Sequence, residues 1–484
     1  MMLRTSAVRT FKPTAKLAMS LALAFSALCS HSAIARDTTL PPLFDDLQQR
    51  TFQFFWDTAN PANGLLPDRY PSPSFSSTAA VGFGLTAYPI GVERGYITRE
   101  QARERVLKTL RFFRNAPQGP DKGTVTAGYK GFFYHFLDMK TGLRHNDQVE
   151  LSTVDTALLV AGALFCQSWF DGDNSEEKEI RKLAQEIYER VDWTWAQARK
   201  PSITLGWYPE SGFIPYDWKG YNEAMLIYVL ALASPTHPVQ PDAWQEWTST
   251  YDNSLVKKGE GKQEHLAYPS MFIHQYSHVW IDFRGIRDAY MRQRGYDYFE
   301  NSRRATYAQQ AYAIANPLGC KDYGAKVWGQ TASDGPVDKV LDYRGRKLAF
   351  RSYAARGAGG EAAYDDCTLV PTAAAGSLPF APEIVIPAVL EMRQRYGDFL
   401  YGKYGFLDSF NPSFNYDVPL QHGRVIPGKG WVADDYLGID QGPILAMTEN
   451  HRNELVWRVM RKNPAIRLGL ERAGFSGGWL SKAK

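Results

Sequence analysis

The chain has 484 residues, 44% of them hydrophobic and 22% charged, a balance that excludes a disordered tail and a polytopic membrane protein. The formal net charge of +4 comes entirely from Arg4, Arg9, Lys12 and Lys16, because the rest of the chain carries equal numbers of acids and bases. A strongly basic polynucleotide binder is therefore not expected, and nucleic acid is not an expected partner.

Those four basic residues precede an apolar run from Leu17 to Leu28, followed by Ser30, Ser32 and Ala33-Ile34-Ala35. A charged start, a short hydrophobic centre and an A-x-A end describe a secretory signal peptide, residues 1–35, cleaved after Ala35. The run is too short to span a bilayer, and no later stretch reaches the roughly 18 uninterrupted apolar residues a spanning helix needs. Residues 36–484 are expected to be exported and soluble, periplasmic where the host has two membranes. Cys166, Cys320 and Cys367 remain after cleavage. Cys166 lies in an apolar segment and reads as a buried thiol, while a Cys320–Cys367 bridge is open. No C-x-x-C or H-E-x-x-H pattern occurs, so neither a metal nor a cofactor is expected.

Further along, the dominant period is helical. Ala102, Val106, Leu110 and Phe113 recur after Thr98 at spacings of four, four and three, and Ile180, Leu183, Ala184, Ile187 and Val191 repeat the pattern after Asn174. Both read as helices with one apolar face and a solvated back. Thr156 to Phe165 and Ala224 to Ala233 are apolar on nearly every side, and such helices must be enclosed by neighbours. Alternation of the two kinds predicts an all-α fold: an inner ring of buried helices wrapped by an outer one, an (α/α)6 toroid in a single domain over 36–484. Strand-like alternation is confined to Gly206–Ile214 and Lys347–Tyr353, short hairpin pieces, and irregular aromatic loops are expected around 253–275, 317–366 and 399–436.

Carboxylates at the starts of buried helices carry the chemistry. Glu223 follows Trp218 and Tyr221, just ahead of the apolar 224–233 segment; burial there raises a carboxyl pKa. The alternative is a favourable place for Glu in a first helical turn. Asp155 follows Glu150 and Ser152, and the spacing of Ser152 and Asp155 also fits a capping box. Asp408, Asp434, Asp435 and Asp440 sit in turn-rich aromatic sequence, where Asp commonly ties loops together. Residues 276–285 gather Tyr276, His278, Trp280, Asp282 and Arg284; the histidine reads equally as an interior one, and Arg284 as the partner of Asp282. Gly357, Gly359 and Gly360 lack a preceding strand, which argues against a phosphate cradle.

Several segments resemble the glycoamylase-like family that includes bacterial β-1,2-glucanases: Trp218–Glu223 followed by Ala233–Pro238, VDTALLVAGAL (154–164), YGFLDSFN (404–411), GIDQGPI (438–444) and MTENHRNELVW (447–457). The similarity runs from about Leu43 to Trp457. It implies an (α/α)6 barrel and metal-free, inverting hydrolysis of β-1,2-linked glucans. By position, Glu223 matches the proton donor, Asp408 is nominated to activate water, and Asp155 stands where relatives carry an acid at the sugar-binding cleft. The helix start reads S-T-V-D-T where endo-acting relatives read D-L-V-E-T, so Ser152 replaces a carboxylate and endo or exo action stays open.

An inverting glycosidase needs one protonated carboxyl and one ionised carboxylate on opposite faces of the sugar. Glu223 is expected as acid, Asp408 as base and Asp155 as a third catalytic acid. Asp440, Glu150 and Asp282 are expected to orient substrate, with Trp218, Tyr221, Trp280 and Trp431 stacking on glucose rings and Arg284 and His278 binding hydroxyls. A neutral glucan or oligosaccharide, bound by a monomer, is the expected partner. Two other classes stay open: a polysaccharide lyase using Tyr276, His278 and Arg284, and a non-catalytic glycan binder. An α-glucan glucoamylase is a further alternative, by architecture alone.

Overall fold

The computed structural model describes residues 39–257, 263–358 and 363–481. The expected signal peptide, Gly359 and Gly360 lie outside the described residues. Fifteen α-helices occur among those described. In chain order they begin with Leu43–Thr58 (α1), Thr78–Glu93 (α2), Arg99–Asn115 (α3), Thr153–Trp169 (α4), Ser175–Arg190 (α5) and Met225–Ala233 (α6). Asp242–Thr248 (α7), Phe272–Trp280 (α8), Ala289–Arg294 (α9) and Tyr298–Ala315 (α10) follow. The last are Pro371–Ala375 (α11), Pro382–Tyr396 (α12), Gly438–Asn453 (α13), Leu455–Met460 (α14) and Pro464–Arg472 (α15).

Helices buried on almost every side alternate with helices buried on one. In α2, α4, α6, α8, α11 and α13 nearly every residue is inaccessible, as the unbroken apolar runs require. These six close on one another. Gly82 of α2 and Gly162 of α4 let two backbones touch: a Cβ on Gly82 would lie 2.3 Å from the Leu158 carbonyl oxygen, and one on Gly162 2.2 Å from that of Gly82. The α6 helix packs on α4, the amide of Leu226 in α6 donates to Ser277 Oγ in α8, and Gln275 of α8 donates to the carbonyls of Thr372 and Ala373 in α11. Thr372 Oγ1 donates to the Asp440 carbonyl of α13, which packs back on α2. The result is a helical toroid.

One-faced helices wrap the outside, α3 on α2, α5 on α4 and α15 on α6. The period read for α3 and α5 is the period of their buried residues, and a Thr98/Gln101 capping box and an Asn174 cap start them where those side chains were seen. A hairpin forms at 206–213 as expected, but it is only the edge of a five-stranded antiparallel sheet that also takes in Gly128–Tyr129, Phe132–Tyr134 and Leu151–Ser152, and the expected 347–353 piece is divided between two pairings, Arg346–Phe350 with Lys339–Tyr343 and Tyr353–Ala355 with Ala332–Asp334. That sheet runs straight into α4 and fixes the residues around its first turn. Cys320 and Cys367 are bridged, and Cys166 is a buried thiol pushed far up by burial. No helix of the described residues is long and apolar enough to cross a membrane.

Candidate active site

The rim formed by the N-terminal ends of the inner helices collects the acids. On the α4 side, Ser152 caps the helix by accepting from the Asp155 amide, and its hydroxyl lies 2.5 Å from Asp155 Oδ2. Only half of a capping box forms, because the Asp155 carboxylate takes the serine hydroxyl. Its other oxygen lies 3.5 Å from His135 Nε2, and His135 Nδ1 is 2.8 Å from Glu150 Oε1. Burial opposes a charge on His135, but Asp155 and Glu150 outweigh it and raise the imidazole to about 9. An acid–imidazolium–acid chain therefore ends at Asp155. His135 carried no signal in sequence: it is brought there by pairing of Phe132–Tyr134 with Leu151–Ser152.

Glu223 lies two residues ahead of α6, partly open to solvent, and its carboxyl has no side-chain partner among the described residues. Burial within the rim, and then the negative charge of Asp155, push it up to about 7. Tyr268 lies within reach of its charge and remains partly exposed.

A second group is made of aspartates. The amide of Asp334 donates to Asp408 Oδ2 (2.8 Å), as does the hydroxyl of Ser409 (3.1 Å). Asp408 Oδ1 and Asp440 Oδ2 are buried without a donor among the described residues. The two carboxyls act on each other: burial raises both, and the mutual contact raises Asp440 further while favouring charge on Asp408. Asp408 is thereby pushed up to about 7 and Asp440 further still, so Asp440 is the member of the pair that holds a proton more firmly. Arg69, on a strand paired with Tyr436–Leu437, reaches Asp334 at 2.7 Å, Asp68 at 3.5 Å and Asp435 at 3.8 Å. Tyr276, one turn into α8, has its hydroxyl pushed far up by burial and then by Asp440, Tyr353, Glu223 and Asp155. It stands within electrostatic reach of both acid groups.

Other expected site residues are elsewhere. Tyr221 is buried with its hydroxyl 3.1 Å from His274 Nδ1, and is not a sugar platform. His278 packs among Phe283, Phe299 and Phe380, touches Ser302, and is driven down to about 3 by burial, so it binds no hydroxyl of a ligand. Trp280 is wholly inaccessible, stacked on Phe83 and bonded to Thr86. Trp431 is equally closed off, in a satellite core with Val337, Phe350 and Phe414. Asp282 and Arg284 follow the C-terminal end of α8, at the opposite rim, locked to each other and to Arg461 and Glu454. Trp218 stays half-buried, its indole bonded to Thr153 Oγ1 beside Asp155. Asp434 is exposed and paired with Arg424, while Asp435 accepts from the Ser72 amide. No group of three or more metal-ligating side chains occurs among the described residues. A separate hollow of about 570 Å³ on the outer face, lined by Glu104, Lys108, Arg111 and Phe112, holds no opposed acids.

Fold and site define a helical toroid with two groups of acids that both act on Tyr276. The chain belongs to the glycoamylase family ("Putative glucoamylase"), whose model matches residues 215–464, just over half of its length. It is similar to the exo β-1,2-glucooligosaccharide sophorohydrolase (non-reducing end) of Parabacteroides distasonis, 29% identical over 474 residues, covering 91% of this chain but 59% of that protein. The chain thus spans under two thirds of the curated relative it matches. Among solved structures it resembles a Bacteroides uniformis protein of the same family description (30% identity, 92% of this chain and 100% of that one, TM-score 0.77). It also resembles the endo-β-1,2-glucanase of Chitinophaga pinensis, solved with sophorotriose and glucose (27%, 91% and 99%, TM-score 0.76).

Proposed function

We propose that this chain is an exported glycoside hydrolase, a single (α/α)6 domain over residues 36–484, that cleaves β-1,2-glucan or its oligosaccharides with inversion. The observation that carries the reading is a carboxyl group on each side of the rim: Glu223, without a side-chain partner among the described residues and pushed up to about 7, and Asp408, itself raised by burial and held by the Asp334 amide and the Ser409 hydroxyl beside the still more strongly raised Asp440. Glu223 donates its proton to the glycosidic oxygen as the bond from that oxygen to C1 breaks. Asp408 takes a proton from water as the water oxygen bonds C1 from the opposite face. Inverting pairs stand roughly 6.5–9.5 Å apart. Asp155, oriented by Ser152 and His135, adds its charge to the burial that raises Glu223. Asp440 orients Asp408, and Glu150 holds His135.

Sugar stacking belongs to rings with an open face. Trp218 keeps that role, and the partly exposed Tyr268 and Tyr353 replace Trp280 and Trp431. Equal numbers of acids and bases suit an uncharged glucan, with no cofactor and with the chain acting as a monomer. The substrate class is supported by the names of two relatives, a β-1,2-glucooligosaccharide sophorohydrolase and an endo-β-1,2-glucanase. A lyase would need His278 and Arg284 at the same rim, and neither is there.

The test is hydrolysis of soluble β-1,2-, β-1,3-, β-1,4- and α-1,4-linked glucans by the wild-type protein, Glu223→Gln and Asp408→Asn, with the anomer of the first product read by NMR. Cleavage of the β-1,2 polymer alone, to α-anomeric product, with both variants inactive, is expected. Activity confined to α-1,4-glucan, or retained in Glu223→Gln, would overturn the reading.

A further inference from the structure

Five carboxylates, those of Asp68, Asp334, Asp408, Asp435 and Asp440, crowd the base side of the rim, yet a base there must ionise. Asp334 presents both a help and a hindrance: its amide donates to Asp408 Oδ2, while its carboxylate charge disfavours charge on Asp408. Arg69 grips that carboxylate with two nitrogens, at 2.7 and 3.3 Å, and also faces Asp68 and Asp435. The groups around Asp408 are Asp440 from α13, Asp334 and the opposed Tyr353 from their paired strands, Arg69 from the strand Arg69–Tyr70 and Asp68 just before it, Asp435 ahead of α13, and Arg356. Arg356 is consumed by Asp366, bound at 2.8 and 2.9 Å with both partners fully buried, so that pair is neutral. Arg69 is the remaining cation of this group.

We infer that Arg69 is a positioning residue for the proposed base: by neutralising Asp334 it lets that residue hold Asp408 through its amide without suppressing the charge on Asp408. This rests on the assignment of Asp408 as base. Neither residue touches the reacting atoms; both act through Asp408. A Lys at 69 would supply charge but not the two-pronged grip on Asp334.

The experiment is the pH dependence of kcat/KM on soluble β-1,2-glucan for wild type, Arg69→Gln, Arg69→Lys, Asp334→Asn and the double variant Arg69→Gln/Asp334→Asn, with circular dichroism of each. In Arg69→Gln the acid limb should move to higher pH by about one unit, a roughly tenfold loss on that limb with a smaller loss above it. Arg69→Lys should recover part of the shift, Asp334→Asn should move the limb to lower pH, and the double variant should return toward wild type. Equal losses at all pH values, or limbs that stay in place in Arg69→Gln and Asp334→Asn alike, overturn the inference. Should Arg69→Gln not fold, the opposite shift in Asp334→Asn decides alone. Full activity of Asp408→Asn would instead remove the base assignment beneath it.

Discussion

The two rims of the toroid use the same residue types to opposite ends. Around the C-terminal end of α8, Asp282, Arg284, Glu454 and Arg461 satisfy one another, and Arg284 lies over Trp457. At the other rim, among the described residues, the Glu223 carboxyl has no side-chain partner, and one oxygen each of Asp408 and Asp440 has no donor. A closed network braces; an incomplete one has capacity left for a substrate hydroxyl, a water or a proton. Acid content does not separate the two rims, but leftover bonding capacity does.

The sharpest break in that comparison is Glu223→Gln, which keeps shape and removes the proton. Turnover of β-1,2-glucan should fall about 10²–10⁴-fold with the melting temperature unchanged or raised; steady-state kinetics beside thermal unfolding check both halves. Next in size is pH. Glu223 is active when protonated, so kcat/KM should fall by about tenfold per unit above about pH 7. Its folded pKa exceeds the ordinary Glu value. The stabilisation from its neutral form is therefore complete below that value and lost as pH rises through about 7, and urea unfolding at pH 5 and pH 8 should show a larger drop for wild type than for Glu223→Gln.

A smaller effect is expected at the exposed rings. Tyr353→Ala should raise KM by about 3–10-fold, the equivalent of roughly 0.5–1.5 kcal/mol of aromatic contact, whereas Trp431→Phe should leave KM alone. A KM shift in Trp431→Phe of the same size would mean that burial misjudges which rings meet sugar. Least in turnover is Asp282→Asn at the braced rim: kcat unchanged, with stability lower by about 2 kcal/mol, since its partners Arg284 and Arg461 are partly solvated. Loss of kcat without loss of stability would erase the distinction between the rims.

By itself, the sequence determined the helices and which of them are enclosed, because periodicity and unbroken apolar runs are local properties that survive in one dimension. It also determined where a helix start would carry Glu223, Asp155 or Asp440, because caps and first turns are local too. Tertiary structure alone decided which polar groups remain unsatisfied. His135 joins Asp155 through strand pairing, Arg69 meets Asp334 across 265 residues, and Trp280, Trp431 and His278 lose every open face to neighbours distant in the chain. An aromatic or a histidine reads the same in a core as in a cleft, since exposure is set by what packs against it. The end of α8 shows the same thing over six residues: Tyr276 is acted on by the acids of one rim, while Asp282, just past the helix end, is locked to Arg284 and Arg461.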